Sequence, residues 1–150
     1  EDSPLERHVY KVDINGKGKT KLSVSAGTNS MDISKDFKYY ILFNDSSTKP
    51  RSIALMSSKG NKLIDTLVNN ADQIETAEAF GIRPKEFFTF ETVDRTQLNG
   101  YFLKPAKFDS TKQYPVLIFQ YSGPGSQNVL NTWSGSNYYW HQMLVQKGYV

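Results

Sequence analysis

The chain has 150 residues, 38% hydrophobic and 22% charged, with a mean hydropathy of −0.53 and no cysteine. This is ordinary globular composition, and the missing thiols exclude disulfides and thiolate metal sites. The formal charge of +3 comes from basic residues interleaved with fifteen carboxylates, so no basic stripe suits a nucleic-acid partner, and no apolar run has the length of a membrane span.

The opening EDSPLERHVY has no initiator methionine and no signal peptide, and a strand pattern is under way by His8. It reads as the interior of a longer sequence. Strands are predicted over residues 8–14, 19–24, 39–44 and 51–56, from the spacing of Val9, Tyr10, Val12, Tyr39, Ile41, Phe43, Ile53 and Leu55. Asn15-Gly16 is a hairpin signal, with Lys17, Lys19 and Lys21 as its solvated tip, and NDSSTKP, residues 44–50, is a run of turn formers. Over residues 70–80 an asparagine cap near Asn70 and the spacing Ile74, Ala77, Phe80 predict a short helix, stopped by Gly81 and closed by Pro84. Residues 59–84 thus read as a connector between two domains.

From Lys85 onward the strands lengthen. Residues 86–94 and 98–108 predict a hairpin, with Pro105 at a strand end or sheet edge. Next comes YPVLIFQYSGPGSQ, in which residues 115–119 lack polar alternation and suit a strand buried on both faces. Glycine and proline halt that strand, leaving Tyr121 at its carboxyl end, where open α/β sheets place ligands. Residues 136–148 predict a helix with Ser136 as cap, apolar positions Tyr139, Trp140, Met143 and Leu144, and Gly148 as stop. Tyr149-Val150 would begin another strand, which makes a βαβ crossover.

No G-x-S-x-G nucleophile elbow occurs; GPGSQ and SGSNY fail the spacing, so Ser122 and Ser126 read as loop serines. His8 and His141 have no nearby carboxylate–serine pattern, and neither reads as a catalytic base. Gly123-Pro124-Gly125 departs from the dinucleotide fingerprint, with proline in the spacer and Asn128 where the third glycine belongs. No metal-ligand motif or cofactor signature is present, and none is expected. On chemistry alone Tyr121 reads as a packing residue.

The run TKQYPVLIFQYSGPGSQ, residues 111–127, resembles a stretch near the start of the catalytic domain in dipeptidyl peptidase IV-like serine peptidases of the prolyl oligopeptidase family. Upstream, SPLERHVYKVDI and SKDFKYYILFNDSS are similar to a late β-propeller blade of bacterial members. The resemblance implies a mixed fold, antiparallel β from the last propeller blade followed by the beginning of an α/β-hydrolase sheet. Residues 1–58 would be the propeller part, 59–84 the connector and 85–150 the opening of the hydrolase domain. It implies removal of dipeptides from peptide amino termini after Pro or Ala, by a parent enzyme that is homodimeric and periplasmic or envelope-associated. Tyr121 matches the family's oxyanion-hole tyrosine. The family's serine, aspartate and histidine follow the point matching Val150, so these residues alone are expected to be inactive and, with open sheet edges, to self-associate. Two rivals remain: a non-catalytic binding protein of the same fold that lacks the nucleophile, and an unrelated α+β domain in which Tyr121 is structural.

Overall fold

The computed structural model describes residues 3–121, 123, 125–133 and 136–150, the last without the Ser136 side chain. The predicted roles of Ser122 and Pro124 in the loop, and of Ser136 as a cap, lie outside the described residues. The chain divides into two compact units, one formed by residues 1–74 with Leu130–Trp133 and the other by residues 75–129 with 134–150.

In the first unit β1 (Tyr10–Lys11) and β2 (Thr20–Lys21) form a small antiparallel pair. A four-stranded meander follows, β3 (Thr28–Ile33), β4 (Tyr39–Ser46), β5 (Lys49–Ser57) and β6 (Lys62–Val68), every strand antiparallel to its neighbour. This is the unit from which propeller blades are built.

Three expectations are corrected here. The strand predicted over 8–14 shrinks to Tyr10–Lys11, because Val12 and Ile14 point into solvent and Asp13 instead pairs its amide with the Lys17 carbonyl across the Gly16 turn. The strand β3 was not foreseen, since TNSMDI is rich in poor strand formers. And residues 59–84 are not all connector: Gly60 and Asn61 both take positive φ, 74° and 53°, which turns the chain tightly and sends Lys62–Val68 back along β5.

The interior of this unit is polar as much as apolar. Tyr40 and Met56 are its buried hydrophobic residues among those described, beside buried Ser23, Asn29, Asn44 and Asp45. Cross-strand partners Asn29 and Asn44 bond to one another, Nδ2 of Asn44 donating to Oδ1 of Asn29 at 3.0 Å and to the Ala26 carbonyl at 3.1 Å. Asn29 Nδ2 in turn donates to the carbonyls of Arg7 and Ser25. Two side-chain amides thus satisfy backbone carbonyls outside the sheet ladders, Ser25 and Ala26, and reinforce Arg7, which the Asn29 backbone amide already pairs, so that irregular chain lies buried. The Tyr40 hydroxyl donates to Asn61 Oδ1, while Asn61 Nδ2 donates to the Leu22 carbonyl, tying the β5–β6 turn to the segment after β2.

Helix α1 (Ala71–Ala79) starts where predicted, although the side chain that caps it is Asn69, whose Oδ1 accepts the Ala71 amide. It ends at Gly81, φ 67°, with the amides of Gly81 and Ile82 closing on the carbonyls of Glu78 and Ala77.

In the second unit β7 (Glu86–Glu91) and β8 (Gln97–Phe102) form the expected hairpin, both shorter than predicted. Phe88 lies opposite Gly100 and stacks on Phe102 at 4.3 Å, so the ring covers the glycine. Helix α2 (Ser136–Gln146) packs Tyr138 and Val145 against Leu103, Tyr101 and Ile82. It stops at Gly148, φ 89°, in the same manner as α1. Its buried Gln142 accepts the Arg83 amide at 2.7 Å and donates to the Arg83 carbonyl at 2.8 Å. The Tyr138 hydroxyl donates to that same carbonyl at 2.9 Å. Burial pushes the Tyr138 phenol up to about 12, with Gln142 opposing the rise and the neighbouring Tyr101 and Tyr139 adding to it, so it stays a donor.

Candidate functional site

The strand expected over residues 115–119 is corrected here: the segment leading to Tyr121 belongs to no sheet and shows a single ladder-like contact, the Val150 amide donating to the Pro115 carbonyl at 3.0 Å and the Leu117 amide to the Val150 carbonyl at 2.9 Å. One residue bonded to two that flank its partner is the pattern of parallel pairing. These two bonds are all that the described residues show of the strand–helix–strand order read from sequence, and neither flanking strand is formed. The expected burial on both faces is absent too: Val116, Ile118 and Phe119 are exposed, since Val150 is the only backbone neighbour of residues 115–117 among the described residues.

Tyr121 follows this segment, 57% exposed, and its hydroxyl makes no hydrogen bond to a described residue. Gly123 lies against its ring, where an added Cβ would sit 3.5 Å from Cε1, 3.8 Å from Cζ and 3.9 Å from the hydroxyl. The phenol thus has a bare backbone beside it and an accessible donor at its tip. Two residues before it, the Phe119 ring lies 5.3 Å from that of His141 on α2, and burial pulls the His141 imidazole below its ordinary value, favouring the neutral ring. In the following loop Ser126 Oγ bonds to Asn128 Oδ1 at 3.4 Å, and no base faces it among the described residues.

The first unit holds a constellation that sequence reading missed. His8 Nδ1 lies 3.1 Å from Ser23 Oγ and Nε2 lies 3.0 Å from Glu6 Oε2, so a carboxylate and a serine do flank this imidazole. The serine is distant in sequence, and no local spacing announces it. The arrangement is structural: Ser23 is fully buried and its Oγ already accepts the Val9 amide at 3.0 Å, leaving no path for a substrate carbonyl. Burial alone would push the Glu6 carboxyl up, but hydrogen bonds from Asn131, His8 and the Gly27 amide outweigh it and hold the group below 4.5.

Comparison with known proteins agrees with this architecture. Residues 1–51 match the family model for the dipeptidyl peptidase IV (DPP IV) N-terminal region. A probable dipeptidyl-aminopeptidase B of Chaetomium globosum is 34% identical over 85% of this chain and 14% of its own length. Human dipeptidyl peptidase 8 is 30% identical over 99% of this chain and 17% of its own. The crystal structure of Porphyromonas gingivalis dipeptidyl peptidase 4 superposes with a TM-score of 0.90 at 41% identity, covering 99% of this chain and 21% of that one. The chain belongs to the dipeptidyl peptidase IV-like family, and it spans 14% to 17% of the length of these curated relatives.

Proposed function

We propose that this chain is the part of a serine dipeptidyl peptidase that supplies one donor of the oxyanion hole, Tyr121. The first unit is then the end of a β-propeller and the second the opening of an α/β-hydrolase domain. The substrates are peptides with Pro or Ala next to the free amino-terminal residue. When the nucleophilic serine adds to the scissile carbonyl, negative charge appears on an oxygen that the ground state leaves nearly neutral. A phenol fixed beside that oxygen donates a hydrogen bond that strengthens only as the charge develops, so it lowers the barrier rather than tightening substrate binding.

The observation that carries this reading is the accessible Tyr121 hydroxyl, with no hydrogen bond to a described residue, at the end of an apolar run, with Gly123 placing no side chain against the ring. In the longer protein, Tyr121→Phe is expected to lower kcat on a Gly-Pro chromogenic substrate about 100- to 1,000-fold with KM little changed. Unchanged kcat would remove the oxyanion role, and a parent with no hydrolysis at all would leave a binding protein of the same fold. The parent is also proposed to be a periplasmic or envelope-associated homodimer, a placement that fractionation and sedimentation of the native protein would test.

A further inference from the structure

The chain has two Asn-Gly pairs, Asn15-Gly16 and Asn99-Gly100, and as sequence they are alike. With no Cβ on the following residue, the nitrogen after each asparagine is uncrowded and can reach the side-chain amide carbon. The structure gives the two pairs opposite settings. Asn15 and Gly16 form the tip between β1 and β2, where every residue from 11 to 20 is exposed. The Gly16 φ is 81°, and nothing lies within 4 Å of the place a Cβ would take. Asn15 Oδ1 accepts the Lys17 amide at 2.9 Å, so the side chain folds forward along the backbone past Gly16. Two backbone bonds close the tip, from the Gly16 amide to the Asp13 carbonyl at 2.8 Å and from the Asp13 amide to the Lys17 carbonyl at 2.9 Å. Asn99 lies instead within β8, opposite Thr89 in the β7–β8 ladder, and the Phe88 ring covers Gly100.

We infer that Asn15 is a site of spontaneous deamidation in the folded protein and that Asn99 is not, with water as the only co-reactant. The Gly16 nitrogen gives its proton to solvent base and attacks Asn15 Cγ. A bond forms between them, the Cγ–Nδ2 bond breaks, and Nδ2 leaves as ammonia, which closes a five-membered succinimide. Water then opens the ring at either carbonyl. One opening leaves aspartate; the other leaves isoaspartate, in which the chain runs on through the side-chain carbon. Nothing is oxidised or reduced: an amide and water become a carboxylate and ammonium. The Lys17 amide already faces the oxygen on which negative charge appears in the first step, the placement that stabilises an oxyanion. The bond from Gly16 to Asp13 opposes the attack, because it holds the proton that must leave. Breaking it opens only an exposed tip, whereas freeing Gly100 means parting β7 from β8 and moving Phe88 off its stack on Phe102. The product sets a carboxylate among Lys17, Lys19 and Lys21 and lowers the formal charge of +3 by one.

Peptide mapping of the longer protein, aged in its folded state at pH 8 and 37 °C, tests this. Tryptic digestion in mildly acidic buffer gives peptides 12–17 and 96–107, which report the two sites separately by mass. Asn15 is expected to convert about tenfold or more faster than Asn99, because the tip opens at far lower cost than the ladder. Both aspartate and isoaspartate should appear, since the ring opens on either side. In urea, where tip and ladder are both gone, the two rates should fall within about threefold of one another. That comparison shows that the difference belongs to the fold and not to the flanking residues. Equal rates in the folded protein, a faster Asn99, or an Asn15 that converts only after unfolding would each overturn the inference. Aspartate without isoaspartate would overturn it as well, because it marks direct hydrolysis of the side chain with no part for the Gly16 nitrogen.

Discussion

At the scale of single residues, the first unit depends on groups that are neither apolar nor catalytic. Gly27 has φ 104°, and a Cβ there would fall 2.1 Å from the Asp45 carbonyl oxygen. Gly27→Ala is therefore strained in both backbone and space, and it displaces the bulge that carries Asp45. Thermal or urea unfolding should show a loss of about 2–4 kcal/mol; a stable alanine variant would mean that the close approach is relaxed in solution. Glu6 gives a pH signature. Its folded-state value lies below 4.5, so the stability it contributes is fully present above that pH and lost as pH falls through the folded value. Urea midpoints measured from pH 6 to pH 3 should fall more steeply for the native sequence than for Glu6→Gln. Tyr138 works in the opposite direction: with its phenol raised from 10.0 to about 12, its contribution is complete below pH 10 and disappears as pH climbs through 12. Tyr138→Phe should flatten the alkaline limb and cost about 0.5–1.5 kcal/mol at neutral pH, because Gln142 still donates to the Arg83 carbonyl.

At the scale of elements, legibility followed the apolar pattern and failed where polar side chains set the register. The strands β4 and β5, both helices and the β7–β8 hairpin were readable because aromatic and aliphatic residues recur at the period of each element. The strand β3 was not, since Asn29 and Asp32 argue against a strand until the buried Asn29–Asn44 pair is known, and that pair joins residues fifteen apart. The strand β6 was hidden for another reason: its side chains are mostly exposed, so its sequence has no buried face to display. Tyr121 was legible as the residue ending an apolar run, whereas Asn131 carries no local mark of the bonds it makes. Its partners Glu6, Thr28 and Ser47 come from three separate stretches of chain. The β7–β8 hairpin offers a test at this scale. A Cβ on Gly100 would meet Phe88 Cζ at 2.4 Å, so Gly100→Ala must push the ring from its stack on Phe102. The expected cost is about 1–3 kcal/mol, visible in the unfolding midpoint and in the near-ultraviolet signal of the phenylalanines.

At the scale of the whole molecule, the two units differ in what they leave uncovered. Within the second, Val116, Ile118 and Phe119 in the extended segment before Tyr121, and Trp140 and Met143 on α2, are all at least 42% exposed. Among the described residues, Val150 is the only backbone partner of residues 115–117. Apolar side chains on a segment with open backbone groups are the conditions under which chains pair with one another. The 150-residue chain on its own is therefore expected to associate, with an apparent mass in sedimentation that rises with concentration across the micromolar range. Replacing Val116 and Ile118, 65% and 81% exposed, with lysine should lower that association without unfolding β7–β8, since neither side chain lies in that hairpin. A monomer at every concentration would show that these faces are covered within the chain itself. Association that persists in the lysine variant would move the contact to the first unit, where β6 presents Leu63, Ile64 and Leu67 at the edge of its sheet.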